Sequence, residues 1–337
     1  MPVPLSVLDL AFVGSGQSPR DALEASVALA QRAEELGYRR VWYAEHHNMA
    51  RIASSATSVL IAHVAAHTRT IRLGAGGVML PNHAPLVIAE QFGTLATLHP
   101  DRIDLGLGRA PGTDPLTTRA LRVPRQAVDH FAEDVLELQG YLSESSLVPG
   151  VEAIPGRGTH IPLYILGSSL YGAQLAARLG LPYGFASHFA PLALEQAITL
   201  YRNQFRPSPQ LDKPYVIAGV NVVAADTKED AERQLASVRR SRARAILGRG
   251  ASWTDEEADA ILASPAGETV ATMGRYTATG TDHEVKAYLE DFARHADADE
   301  LIVVHPTAKR DARLRSLEIA AAAMPPHDRR DGSVLRG

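Results

Sequence analysis

One alternation constrains this chain more than any other feature. A short apolar run is followed by a segment whose apolar residues recur at helical spacing, and the pair repeats from end to end. The runs are PLSVLDLAF, RRVWYA, TIRLGAGGVML, RIDLGLG, IPLYILG, YGFAS, PYVIAGVNVVAA and DELIVVHP. They are short and apolar, and several are rich in Val, Leu and Ile, so they read as strands buried on both faces. Strands of that kind belong to parallel sheets covered by helices. Eight strand–helix units within 337 residues fit a (β/α)8 TIM barrel better than an open doubly wound sheet.

The helical segments carry their own punctuation. In SPRDALEASVALAQRAEELG, Ser18 caps, Pro19 fits the first helical position and Asp21 completes a capping box. Leu23, Val27 and Ala30, with Leu29, Ala33 and Leu36, form a wide apolar stripe, and Gly37 ends the helix. Further helices are expected near Thr57–His67, Pro85–Leu98, Pro124–Leu142, Ser169–Leu179, Leu192–Phe205 and Lys309–Met324. Another follows a capping box of Asp226 and Glu229. Two intervals break the rhythm. Ser143–His160 is rich in Gly, Pro and Ser and reads as a loop. The stretch from Gly248 to about Gly280 holds a short capped helix, WTDEEADAIL, and is expected to wall or cover the barrel mouth. We expect a single domain over residues 1–324 and a mobile tail over 325–337.

Composition narrows the function. There is no cysteine, which excludes disulfides, thiolate metal sites and cysteine nucleophiles. A net charge of −4 gives no basic surface for nucleic acid. No basic leader precedes an apolar core at the N-terminus, and no apolar window is long enough to span a membrane, so a cytoplasmic protein is expected.

In a barrel of this kind the active face lies at the carboxyl ends of the strands. The second unit brings Glu45, His46 and His47 there; the third brings Gly74–Gly77; the fourth, GLGRAPG, brings Arg109. The fifth brings GSSLYG, Gly167–Gly172, and the sixth Ser187 and His188. An arginine amid glycines wants an anion, or else an acid on a neighbouring loop. GSSLYG puts Ser168 and Ser169 at a helix N-terminus, which suits an anion or simple capping. Adjacent glycines in a strand mark the close approach of a ligand or of another backbone. The imidazoles admit proton transfer, a structural pair, or a metal, for which Asp9 and His188 are the only evident additional ligands; no metal is expected. No G-x-S-x-G elbow is present. VGSGQSP imitates the start of a dinucleotide fingerprint, but Pro19 stands where its third glycine belongs.

Taken together, YAEHHN, GAGGVMLPNHAPLVIAEQFGTL, HPDRIDLGLGRAPG and ILGSSLYGAQLAARLGLPYGFASHF resemble the bacterial luciferase-like flavin monooxygenases, most closely the single-subunit branch. The resemblance covers nearly the whole chain. It implies a barrel that binds FMN at its mouth, with His46 as the catalytic histidine and Glu45 its neighbour at the flavin. It implies that the backbone at Gly76 and Gly77 lies against the flavin ring, often through a cis peptide. Arg109 then binds the phosphate, with Gly167, Ser168, Ser169 and Tyr171 in the phosphate-binding turn and Ser187 near the flavin. Light-emitting members carry a cysteine where this chain has Gly108, so bioluminescence is not expected.

The expected activity is a two-component monooxygenation. A separate flavin reductase supplies reduced FMN, and O2 oxygenates a small organic substrate through a C4a-hydroperoxyflavin. A homodimer is expected. The alternatives are an F420-dependent hydride-transfer enzyme of the same fold and a flavin-binding protein without turnover.

Overall fold

A computed structural model of the chain describes residues 3–124, 126–248 and 252–325. The expected tail, apart from Pro325, lies outside the described residues. The chain runs β1 (Leu5–Asp9), α1 (Pro19–Glu35), β2 (Arg40–Tyr43), α2 (Thr57–Ala65), β3 (Arg72–Met79), α3 (Pro85–Leu98), β4 (Ile103–Gly108) and α4 (Pro115–Ala120). It continues through α5 (Phe131–Leu142), β5 (Leu163–Gly167), α6 (Leu170–Leu179), β6 (Tyr183–Phe185), α7 (Leu194–Gln204), β7 (Val216–Ala224) and α8 (Lys228–Leu247). It ends with α9 (Asp255–Leu262), α10 (Glu268–Met273), β8 (Thr277–Gly280), α11 (Asp282–His295), β9 (Glu300–Val304) and α12 (Arg310–Ala323).

Every strand pairing is parallel. The first seven strands neighbour one another in chain order, and β9 closes the ring by pairing with both β7 and β1. The result is the expected (β/α)8 barrel. A ninth strand, β8, was not expected. β7 is long enough to serve two partners: Ile217–Asn221 pair with β9, and Asn221–Ala224 extend past it to pair with β8. The irregular interval therefore holds α9, α10 and β8, with α11 following as a full amphipathic helix. The expected capped helix there is real, since Thr254 and Glu257 form its capping box.

Strand alternation divides the core into two layers. Leu8, Trp42, Ala44, Tyr164, Ile217, Ile302 and Val304 fill the barrel interior. Val7, Val41, Tyr43, Leu73, Leu105, Ile165 and Val303 pack outward under the helices. The interior floor is ionic. Arg40, fully buried, donates through Nη1 to Asp104 (2.7 Å) and to the Tyr164 hydroxyl (2.6 Å), and through Nη2 to Glu300 (3.1 Å). Trp42 Nε1 and Arg72 also donate to Asp104. Burial alone would raise the Asp104 carboxyl, but Arg40 and Arg72 hold it below the usual carboxylate range.

The Ser18–Asp21 capping box forms, with Pro19 as the first helical residue. Two boundaries differ from expectation. The helix expected from Pro124 begins at Phe131, because a separate 3-10 turn over Ala127–Asp129 precedes it; a further short helix, Pro115–Ala120, is capped by Asp114. Thr227, not Asp226, caps α8 through Asp230 N, and Asp226 pairs with Arg315 instead. Among the described residues no helix is long and apolar enough to cross a membrane.

Candidate active site

The residues just past β2 are held by their neighbours on β3 and β4. Glu45 is 2% exposed. Its Oε1 accepts from His47 Nε2 (2.7 Å) and His83 Nε2 (2.8 Å), and its Oε2 from the Met79 backbone N–H (3.0 Å). Burial works against the charge, but these donors, His83 foremost, lower the carboxyl below its ordinary value. The donor atoms of Glu45, His47 and His83 lie within 4.8 Å of one another, the spacing of a metal-ligand group. The distances from imidazole to carboxylate are those of hydrogen bonds. Asp9, the other acid the sequence offered, sits apart: it accepts from Ala11 N (2.9 Å) and from the Ser26 hydroxyl.

His46 faces the other way. Arg40, Trp42 and Ala44 point into the barrel, and His46 follows just past the end of β2, held by the loop after β4. Its Nδ1 lies 3.2 Å from Gly112 O, and its backbone N–H donates to Ser54 O (3.3 Å). Burial lowers its pKa from the ordinary value. Gly112 has φ +63°, and a Cβ there would lie 3.1 Å from Glu45 O, so glycine suits both the turn and the contact. Asn82 Nδ2 donates to Pro111 O (3.0 Å), and Thr113 Oγ1 to His47 O (3.0 Å), which ties the three loops into one unit.

The β3 glycines serve close packing. A Cβ on Gly74 would lie 2.6 Å from Asp104 O, and one on Gly77 2.6 Å from Gly106 O. One on Gly76 would strike Leu8 and Trp42. The Gly76–Gly77 peptide is cis.

On the far side of the mouth the Arg109 guanidinium stacks over the Tyr171 ring, 4.1 Å from its centroid. Arg109 is exposed, and among the described residues it forms no ion pair. Gly167 ends β5 and leads into the turn of Ser168 and Ser169. Ser169 is the N-cap of α6, yet its side chain makes no capping hydrogen bond. The chain thus brings Arg109, Tyr171 and an uncapped helix start together. Ser187 lies deeper: it is fully buried, and its hydroxyl donates to Gly219 O (2.6 Å). His188 follows. Its Nδ1 is buried without a hydrogen-bond partner among the described residues and sits against Gly219, where a Cβ would lie 2.4 Å away.

Sequence reasoning did not single out His83 or Gly112. His83 reaches Glu45 only because a 3-10 turn over Leu80–Asn82 folds the chain back after β3.

The family model described as luciferase-like monooxygenase matches residues 3–300. A protein of Escherichia coli K12 named luciferase-like monooxygenase is 47% identical over 321 residues, covering 94% of this chain and 96% of that protein. The N-acetyl-S-alkylcysteine monooxygenase of Bacillus subtilis is 38% identical over 246 residues, covering 69% of this chain and 71% of that one. The crystal structure of apo-MsnO8 superposes with a TM-score of 0.87 at 36% identity, over 96% of this chain and 100% of that one. With a shared barrel and near full-length identity of this order, the chain belongs to the luciferase-like monooxygenase family.

Proposed function

We propose that this protein is an FMN-dependent monooxygenase of the two-component type, acting on a small organic substrate with O2. The observation that carries the reading is the Arg109 guanidinium, without a carboxylate partner among the described residues, stacked on Tyr171 beside the uncapped start of α6. A planar fork of donors next to free backbone N–H groups suits a terminal phosphate. Arg109, Gly167, Ser168, Ser169 and Tyr171 would hold that phosphate, and the Gly76–Gly77 wall would lie along the ring. When bound, reduced FMN supplies the electrons that let O2 deliver one oxygen atom to the substrate.

The chain's own residues control protons and water. Gly112 O accepts from His46 Nδ1–H, so His46 Nε2 carries the lone pair and can take a proton over the mouth. Burial keeps that imidazole neutral near pH 7. Glu45 and Ser187 act behind the site: Glu45 locks the ends of β2 and β3 together, and Ser187 fixes the turn after β6. The incomplete VGSGQSP pattern offers no intact dinucleotide fingerprint, which supports a separate reductase as the source of reduced flavin.

The test is a labelled turnover. The purified chain receives reduced FMN from an added reductase, under ¹⁸O2, with a panel of aldehydes, ketones, thioethers and organic acids. One labelled oxygen in a product that requires FMN is the expected result. Turnover with reduced F420 and no label would replace this reading with hydride transfer.

A further inference from the structure

Three arginines alternate near the end of α8. Positions two apart on a helix face opposite sides. Arg240 pairs with Asp255 (3.0 Å) and Asp259 (2.6 Å), and Arg244 with Asp255 (2.5 Å), both acids belonging to α9. Arg242 lies between them and is turned away from α9. Its Nη1 approaches Gly274, 3.3 Å from where a Cβ would stand, and among the described residues no carboxylate lies within ion-pair distance of it. It is partly buried, and burial lowers its guanidinium with no acid acting against that.

Contacts at the strand ends tie α8 to the barrel mouth. Arg51, after β2, donates to Ser241 Oγ (3.0 Å), and Thr307, after β9, donates to Gln234 Oε1 (3.4 Å). His188 lies near enough to feel Arg242. Burial first, then Arg242, then His46 push the His188 imidazole down to about 3. His188 is therefore neutral at pH 7 and adds no charge of its own. Phe189 packs edge-on to it with ring centroids 5.1 Å apart and is 44% exposed. Arg242, with no carboxylate partner among the described residues, thus stands near a neutral imidazole whose neighbour is an exposed apolar ring.

We propose that Arg242 is a specificity residue that binds the carboxylate of the substrate, which makes the substrate class a small organic acid with an apolar body. A single guanidinium balances a single negative charge, and its fork fits a carboxylate edge-on. Phe189 offers the apolar body a surface. The dianionic cofactor phosphate has its own donors at Arg109 and the start of α6. The proposal rests on the monooxygenase reading of the same mouth.

The experiment compares acids with their amides, which match in shape and differ in charge. Hexanoate against hexanamide, and benzoate against benzamide, are titrated calorimetrically into the full chain, with and without FMN. The wild-type protein is expected to bind each acid about 10–100-fold more tightly than its amide. Arg242→Met should abolish that preference and leave amide and FMN affinities unchanged. Arg242→Lys, which keeps the charge but loses the fork, should retain part of it. Equal binding of acid and amide by the wild type would overturn the proposal, and that comparison needs no variant. Retention of the preference in Arg242→Met would also overturn it. Loss of FMN affinity in Arg242→Met would assign the arginine to the cofactor instead. An intact, Arg242-dependent acid preference in a chain that does not bind FMN would sustain this proposal and defeat the flavin reading.

Discussion

His46 Nδ1 and Gly112 O stand 3.2 Å apart, and that one hydrogen bond decides which nitrogen of the imidazole is free. A carbonyl only accepts, so the proton sits on Nδ1 and Nε2 is the base. Nitrogen-15 NMR of the labelled protein should show the Nδ1–H form. Its titration midpoint should lie below 6.5, because burial lowers the pKa. Proton acceptance should accordingly persist at pH 7 and fail only as pH drops below 6.5. His46→Ala should lose roughly 10²–10⁴-fold in product formation, and His47→Ala, whose ring turns back to Glu45, should lose less. An Nε2–H form, or a midpoint above 6.5, would contradict this assignment.

Glu45 should behave as a structural carboxylate. Its folded pKa is lowered, so the stability it contributes is present above its unfolded value, near 4.5, and is lost as pH falls through the lower folded value. Glu45→Gln should therefore cost about 1.5–3 kcal/mol at pH 7. The gap in melting temperature between variant and wild type should narrow below pH 4.5. A gap that stays constant from pH 7 to pH 3 would show that the charge does not matter.

The barrel floor predicts a large stability effect far from the mouth. Arg40→Met leaves Asp104 and Glu300 buried without their shared cation, which should cost about 3–5 kcal/mol in urea unfolding. Arg20→Met breaks only the exposed Arg20–Glu24 pair and should leave the unfolding midpoint almost unchanged. Similar losses in the two variants would refute the buried-network account.

The barrel was legible because runs apolar on both faces, separated by amphipathic segments, leave few other solutions. The barrel puts the ends of β2, β4 and β5 at one face, and with them Glu45, His46, Arg109 and Tyr171; that these serve one flavin site is the proposal. What escaped depended on tertiary contacts. β8 is four residues of mixed character, Thr277–Gly280, and becomes a strand only because β7 overshoots β9. Arg242 is one of several arginines in RRSRARAIL, and only the packing of α9 shows which are already paired. The β3 glycines signalled a close approach without saying by what; β4 and the Leu8 and Trp42 side chains make one such approach.

The central claim is that this mouth holds FMN through its phosphate, with Arg109 as the principal donor. The direct test is an anaerobic titration of wild type and Arg109→Ala with reduced FMN and with reduced riboflavin, which lacks the phosphate. A hydrogen bond to a charged group contributes about 1.5–3 kcal/mol, so the variant should bind reduced FMN roughly 10–100-fold more weakly, with riboflavin affinity nearly unchanged. An equal loss for both ligands, or no loss for either, would contradict the account.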